Sequence, residues 1–77
     1  MNEFAATIKA PEYPPQLKHK VIFETFDGLE PGTALQLIND HDPRPLFFQF
    51  QAMRGGQFAW EYLEQGPECY RVKISKL

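Results

Sequence analysis

The chain reads as an α+β fold, a two-layer sandwich in which two helices cover one face of a four-stranded mixed sheet in the order β-α-β-α-β-β. Three observations predict it. Two stretches carry apolar residues at helical spacing, each opened by prolines and closed by a glycine turn. Two C-terminal stretches alternate apolar and polar residues on either side of Gln65-Gly66-Pro67-Glu68, which marks an antiparallel hairpin. A short β-like segment precedes each helical stretch. With 77 residues, 43% of them hydrophobic, the sequence predicts one domain spanning residues 1–77 with a modest core.

Each element has its own justification. The stretch from Phe4 to Ala10 is moderately β-like and is stopped by Pro11. Pro14 and Pro15 then stand where a helix can begin, because a proline in the first turn loses no bond it would have made. Leu17, Val21, Ile22, Phe26 and Leu29 follow at near-helical spacing. Val21 and Ile22 are β-branched and keep a strand as the rival, but the pattern is too long for one strand and ends at Gly28 and Glu30-Pro31-Gly32. Thr33 to Ile38 reads as the second strand. Asp42 looks like a helix N-cap with Pro43 at the first helical position. Leu46, Phe47, Phe50 and Met53 form the apolar stripe of this second helix, and Gly55-Gly56 closes it. Phe58–Tyr62 and Tyr70–Ile74 are the hairpin strands.

Composition narrows the function classes. A net charge of −2 gives no general reason to expect nucleic acid, although small sandwiches can bind RNA. Cys69 is the only cysteine, so no internal disulfide forms. The lone thiol, the absence of a long apolar run and the lack of a basic leader in residues 1–9 predict a cytoplasmic protein without a membrane span.

The order of elements locates a site. Parallel neighbouring strands joined by right-handed crossovers place both helices on one face, with both helix N-termini along one sheet edge. Ligands of open α/β sheets prefer that edge, and helix starts favour anions. The chain brings Lys18, His19 and Lys20 there from the first helix, and Asn39-Asp40-His41-Asp42-Pro43-Arg44-Pro45 from the second. Both histidines are in this set.

Ordinary structural roles account for each residue taken singly: Asp42 as a cap, Asn39 and Asp40 as turn formers, Arg44 as the partner of a neighbouring acid. As a group, ionisable residues between stiffening prolines point to binding. Three readings follow. His19, His41, Asp40 and Asp42 are candidate ligands of a divalent metal ion, although their spacing matches no strong metal motif. Lys18, Asn39, Arg44 and the helix ends are candidates for holding a small anion or a carboxylate of a protein partner. A histidine beside a carboxylate could act as a general base, but no nucleophile or oxyanion pocket accompanies it, and no catalytic residue is assigned.

Cys69 lies beside the hairpin turn, with Arg71 and Lys73 expected on its side of the strand. Nearby cations favour a thiolate, whereas a lone strand cysteine is ordinarily an inert small residue. Phe23, Phe47, Phe48, Phe50, Phe58, Trp60, Tyr62 and Tyr70 are core by default. Phe47 and Phe48 are adjacent, as are Ile22 and Phe23, so one of each pair is a candidate for exposure at a partner surface. The uncovered sheet face makes a homodimer a candidate state.

The run Asn39-Asp40-His41-Asp42-Pro43-Arg44-Pro45-Leu46 carries a family resemblance. So do Lys18-His19, Ile22 to Asp27, Leu29 to Gly32, Phe58, Trp60, Glu61, Tyr62, Gly66-Pro67 and Val72. Together they resemble family 2249 of the bacterial domains of unknown function over nearly the whole chain. That family looks related to the TusA-like (SirA-like) sulfur carriers, which implies the same β-α-β-α-β-β sandwich. Its members also occur joined to hemerythrin-like domains, which implies a redox, metal or nitrogen-oxide setting and a hemerythrin-like or redox protein partner. The departure is chemical. The carriers hold a reactive cysteine in a Cys-Pro-x-Pro motif at the start of the first helix, and Pro14 to Lys20 here contains none, so persulfide relay through that position is impossible. The leading expectation is a non-catalytic accessory module that binds a metal ion, a small anion or a partner at this edge. The alternative is an enzyme subunit, redox- or sulfur-metabolism-linked, using His19 or His41 in acid–base or metal chemistry.

Overall fold

The structure is a computed structural model that describes residues 4–77. Its elements are β1 (Ala6–Lys9), a 3-10 turn (Ala10–Glu12), α1 (Pro15–Asp27), β2 (Ala34–Asn39), α2 (Arg44–Arg54), β3 (Phe58–Gln65) and β4 (Tyr70–Lys76). The sheet order is β1-β2-β4-β3, with β1 and β2 parallel and the other pairs antiparallel. The α+β sandwich expected from the sequence is therefore the observed fold.

Period-two alternation sets the sheet's inner face. Ile8 lies opposite Leu37, Leu37 and Tyr62 opposite Val72, and Leu35 and Trp60 opposite Ile74. Leu35, Leu37, Val72 and Ile74 are fully buried, and Ile22 and Phe26 from α1 and Leu46 and Phe50 from α2 close over them in one cluster. Phe50 stacks on Phe23 with ring centroids 4.4 Å apart and meets Phe26 edge-on at 5.2 Å, which locks the two helices together. The opposite sheet face is polar: Arg71 donates to Glu64 at 2.9 Å and to Gln36 at 3.0 Å.

Some finer expectations hold and others shift. The segment from Leu17 to Leu29 contains helix and no strand. Leu17, in the first turn, is 45% exposed, and Met53, in phase with Leu46 and Phe50, is 57% exposed. A phase-correct position is buried only where the facing layer covers it, and these end turns lie uncovered. Phe48 is exposed, as its adjacency to Phe47 suggested, whereas Ile22 is buried and Phe23 half-buried. β3 continues beyond Tyr62 because a bulge between Tyr62 and Glu64 shifts the register, and the alternation in the sequence breaks there.

The C-terminal ends of the helices are clamped. Arg54 donates Nε to Oδ1 of Asp27 at 2.9 Å and a guanidinium NH2 to Oδ2 at 2.8 Å, and its guanidinium lies 5.4 Å from the centre of the Phe23 ring. The hydrogen bond from Arg54 holds the Asp27 carboxyl below its ordinary value of 3.8, against a smaller opposing effect of burial. Because the folded value is depressed, this stabilisation is complete above the unfolded carboxylate range and is lost as pH falls through the folded value. Arg54→Gln is expected to lower stability at pH 7, modestly because the acid is half exposed, through loss of the ion pair and of the ring contact together. Urea unfolding should show that difference shrinking as pH falls below the ordinary carboxylate value of 3.8; an unchanged difference would place the effect in the ring contact alone.

Candidate functional site

β1 and β2 both run toward the edge where α1 and α2 begin, so the 3-10 turn, the start of α1 and the β2–α2 loop meet there. Between them lies a cleft of about 280 Å³. Its polar lining is Lys18 and His19 from α1 with Asn39 and His41 from the end of β2 and the loop beyond it. Residues separated by some twenty positions in the chain are thus brought to one place, as the topology predicted.

Asn39 is the buried member, only 7% exposed. Its Oδ1 accepts the backbone N–H of Asp40 at 2.9 Å. Its amide nitrogen has no hydrogen-bond partner among the described residues and is not sealed from solvent. A donor at this position, open to the cleft and held by a buried side chain, is placed to bond an acceptor that enters it.

Asp40 and His41 engage each other. His41 Nδ1 and Asp40 Oδ1 are 2.7 Å apart at the exposed rim. The His41 hydrogen bond holds the Asp40 carboxyl below the usual carboxylate range, and the nearby Lys18 charge acts in the same direction. With Nδ1–H donated to the carboxylate, Nε2 of His41 is left for a ligand, as an acceptor in the neutral ring and a donor in the protonated one.

Asp42 and Arg44 belong elsewhere. The predicted N-cap role of Asp42 is corrected: the N-cap position is Pro43, whose carbonyl takes the Leu46 and Phe47 N–H groups at 3.1 and 3.2 Å. Asp42 instead accepts the Tyr62 hydroxyl at 2.7 Å, with Arg44 Nε 3.7 Å from its other oxygen. Burial, and then this bond to Asp42, push the Tyr62 phenol above its ordinary value. Tyr62→Phe is expected to cost about 1.5–3 kcal/mol, the range for a hydrogen bond to a charged group. A urea-melt difference near zero would show that the bond merely replaces one to water.

Arg44 lines a second cleft of about 190 Å³ walled by Phe47, Phe48, Trp60 and Tyr62. The Trp60 indole N–H there is sealed from solvent and out of a ligand's reach. The predicted cluster therefore divides. Lys18, His19, Asn39 and His41 share the first cleft, with Asp40 bonded to His41 at its rim, while Arg44 lines the second and Asp42 is bonded to Tyr62. Among the described residues no group of three or more His, Cys, Asp or Glu side chains is placed to hold a metal ion. The set His19, Asp40, His41 and Asp42 is thus not gathered as ligands, because Tyr62 draws Asp42 away and Asp40 is bonded to His41.

Two features escaped the sequence reading. Tyr62 appeared only as a core aromatic, and no local signal links it to a residue twenty positions earlier. The β3–β4 turn also arrives at this same edge, since Tyr70 lies opposite Asn39. Cys69, half-buried and free, is therefore near the loop in space though distant along the chain, but it does not line the cleft.

No helix among the described residues is long and apolar enough to cross a membrane. No curated protein and no solved structure gives a match to the chain. A family profile does, over residues 7–76, and its description is "Uncharacterized conserved protein (DUF2249)". The chain belongs to that family.

Proposed function

We propose that this member of the family is a non-catalytic binding module that holds a small anion in the cleft between its two helix starts. The observation that carries the reading is the side chain of Asn39, 7% exposed and with its amide nitrogen unpartnered among the described residues, in a cleft that also presents the Lys18 ammonium. The positive ends of two helix dipoles act in the same direction. His19 and His41 add donors when protonated. The histidine–carboxylate pair at the rim orients His41, and no nucleophile stands beside it among the cleft residues.

The test is a titration of the whole chain with sodium phosphate and sodium acetate at low ionic strength, followed by amide NMR signals. Saturable shifts are expected at Lys18, His19, Asn39 and His41, including the Asn39 side-chain NH2. Lys18→Gln should weaken binding about tenfold, the equivalent of ~1.4 kcal/mol for one charge-assisted bond. Arg44→Gln, which alters the other cleft, should leave affinity unchanged. Shifts scattered over the surface, or equal losses in both variants, would refute the assignment.

A further inference from the structure

We propose that the open edge of β3 and the ring-walled cleft beneath it form a docking groove for an extended, acidic peptide segment of a partner protein. The proposal goes beyond the anion-binding reading and rests on the other cleft.

The first observation is an edge with unpaired backbone. β3 is the last strand of the sheet and pairs on one side only, with β4. Successive residues of an antiparallel pair turn their N–H and C=O groups alternately toward the neighbouring strand and away from it. The phase is fixed here by the Leu77 N–H, which donates to the Gln57 carbonyl at 3.0 Å. Lys76, opposite Phe58, bonds on its other side instead, to Gly32 and Thr33. Ala59 and Glu61 therefore face β4, while Phe58, Trp60 and Tyr62 turn their N–H and C=O groups to the open edge. Beyond the sheet ladder, no backbone group among the described residues bonds to them. An added strand can pair with such a row.

The second lies beneath that edge. Trp60 and Tyr62 direct their side chains to the helix layer, where with Arg44, Phe47 and Phe48 of α2 they line the cleft of about 190 Å³. Phe48 is 59% exposed, and Phe47, Trp60 and Tyr62 are half-buried, so the rings present surface for a bound side chain to cover. A cleft below the ~300–1,000 Å³ of drug-sized pockets suits one apolar side chain. A strand added to β3 would lay its alternate side chains over these rings.

The third is charge. Arg44 Nε lies 3.7 Å from Asp42, beyond hydrogen-bond reach, and Asp42 already accepts the Tyr62 hydroxyl at 2.7 Å. The guanidinium thus has no hydrogen-bond partner among the described residues, and it is the one cation lining this cleft. A carboxylate of the partner matches it in sign and in planar geometry. Side chains two positions apart share a face of a strand, so the segment carries an apolar and an acidic residue in that spacing.

The probe is a short capped peptide alternating threonine and valine, with phenylalanine and aspartate two positions apart on its valine face. It is titrated into the whole chain and followed by NMR. Binding should move the backbone amide signals of Phe58, Trp60 and Tyr62 and slow their hydrogen exchange, since a paired strand protects them. N-methylation of alternate peptide residues should abolish binding in one phase and spare it in the other. Replacing the aspartate by asparagine should weaken binding about tenfold, the scale of one charge-assisted bond. Arg44→Gln should remove that difference, and Phe48→Ala should weaken both peptides. No movement at millimolar peptide, movement without exchange protection, or equal affinity for the two peptides would overturn the proposal. So would protection of these amides in the free chain that grows with its own concentration, because the edge would then belong to a second copy.

Discussion

Phe50→Ala is expected to cost about 3–5 kcal/mol, the range for removing a fully buried aromatic ring. At ~0.05–0.15 kcal/mol per residue, a fold of this size has a total stability of only about 4–12 kcal/mol, so the variant should sit near or past the unfolding threshold. The ring is 0% exposed and is the point where three elements meet. It stacks on Phe23 and meets Phe26 from α1, and it lies 5.2 Å from Phe58 and 6.1 Å from Trp60 on β3. Neither helix can slide into the vacated volume without losing its contacts with the sheet, so most of the cavity should remain. Urea unfolding and dye binding to exposed apolar surface would read the loss. Phe48→Ala is the matched control: its ring is 59% exposed, and the change should stay within about 0.5 kcal/mol. A Phe50→Ala loss below ~1.5 kcal/mol would mean that the layers collapse around the gap.

Gly66→Ala is the second large effect, expected at about 2–3 kcal/mol from backbone strain and overpacking together. Gly66 has a φ of +69°, and its N–H donates to the Cys69 carbonyl at 2.7 Å, closing the β3–β4 turn. A Cβ there would stand 2.7 Å from Cζ of Tyr70 and 2.8 Å from its hydroxyl oxygen. The ring would have to leave, and Tyr70 is the residue opposite Asn39 on β2. The substitution should therefore reach the cleft, appearing as a shift of the Asn39 side-chain NH2 signal as well as a lower unfolding midpoint. Gly32→Ala separates the two causes. Gly32 has a φ of +89° and nothing within 4 Å of a would-be Cβ, so it should show only the backbone cost of about 1 kcal/mol. Equal losses at the two glycines would rule out the Tyr70 contact as a contributor.

The apolar patterns that order the layers were legible because they are local. Val72 and Ile74 alternate cleanly and are fully buried, and Ile22 and Phe26 recur at helical spacing and are buried too. Proline, which lacks an N–H, marked the start of α1 at Pro15 without reference to anything distant. The convergence of His19 with Asn39 and His41 was also readable, because it follows from strand direction and helix placement alone.

Where local rules compete with distant partners, the sequence misled. Asp42 beside Pro43 satisfies every local expectation for a cap, yet the Tyr62 hydroxyl takes its carboxylate. Arg44 sits in the same short run as His41, yet one step round the helix turns it toward Phe47 and Trp60 and into a different cleft.

By itself, the sequence determined the element order, the two proline-opened helix starts, the edge where polar groups gather and the absence of a cysteine from the start of α1. Only the tertiary structure decided that this edge holds two clefts rather than one cluster and that Asn39 is the buried donor. The reason is one of range. Periodicity and backbone chemistry act over a few neighbouring residues and survive any packing. The partner of a side chain, by contrast, is chosen by what the folded layers bring within about 3 Å of it, from anywhere in the chain.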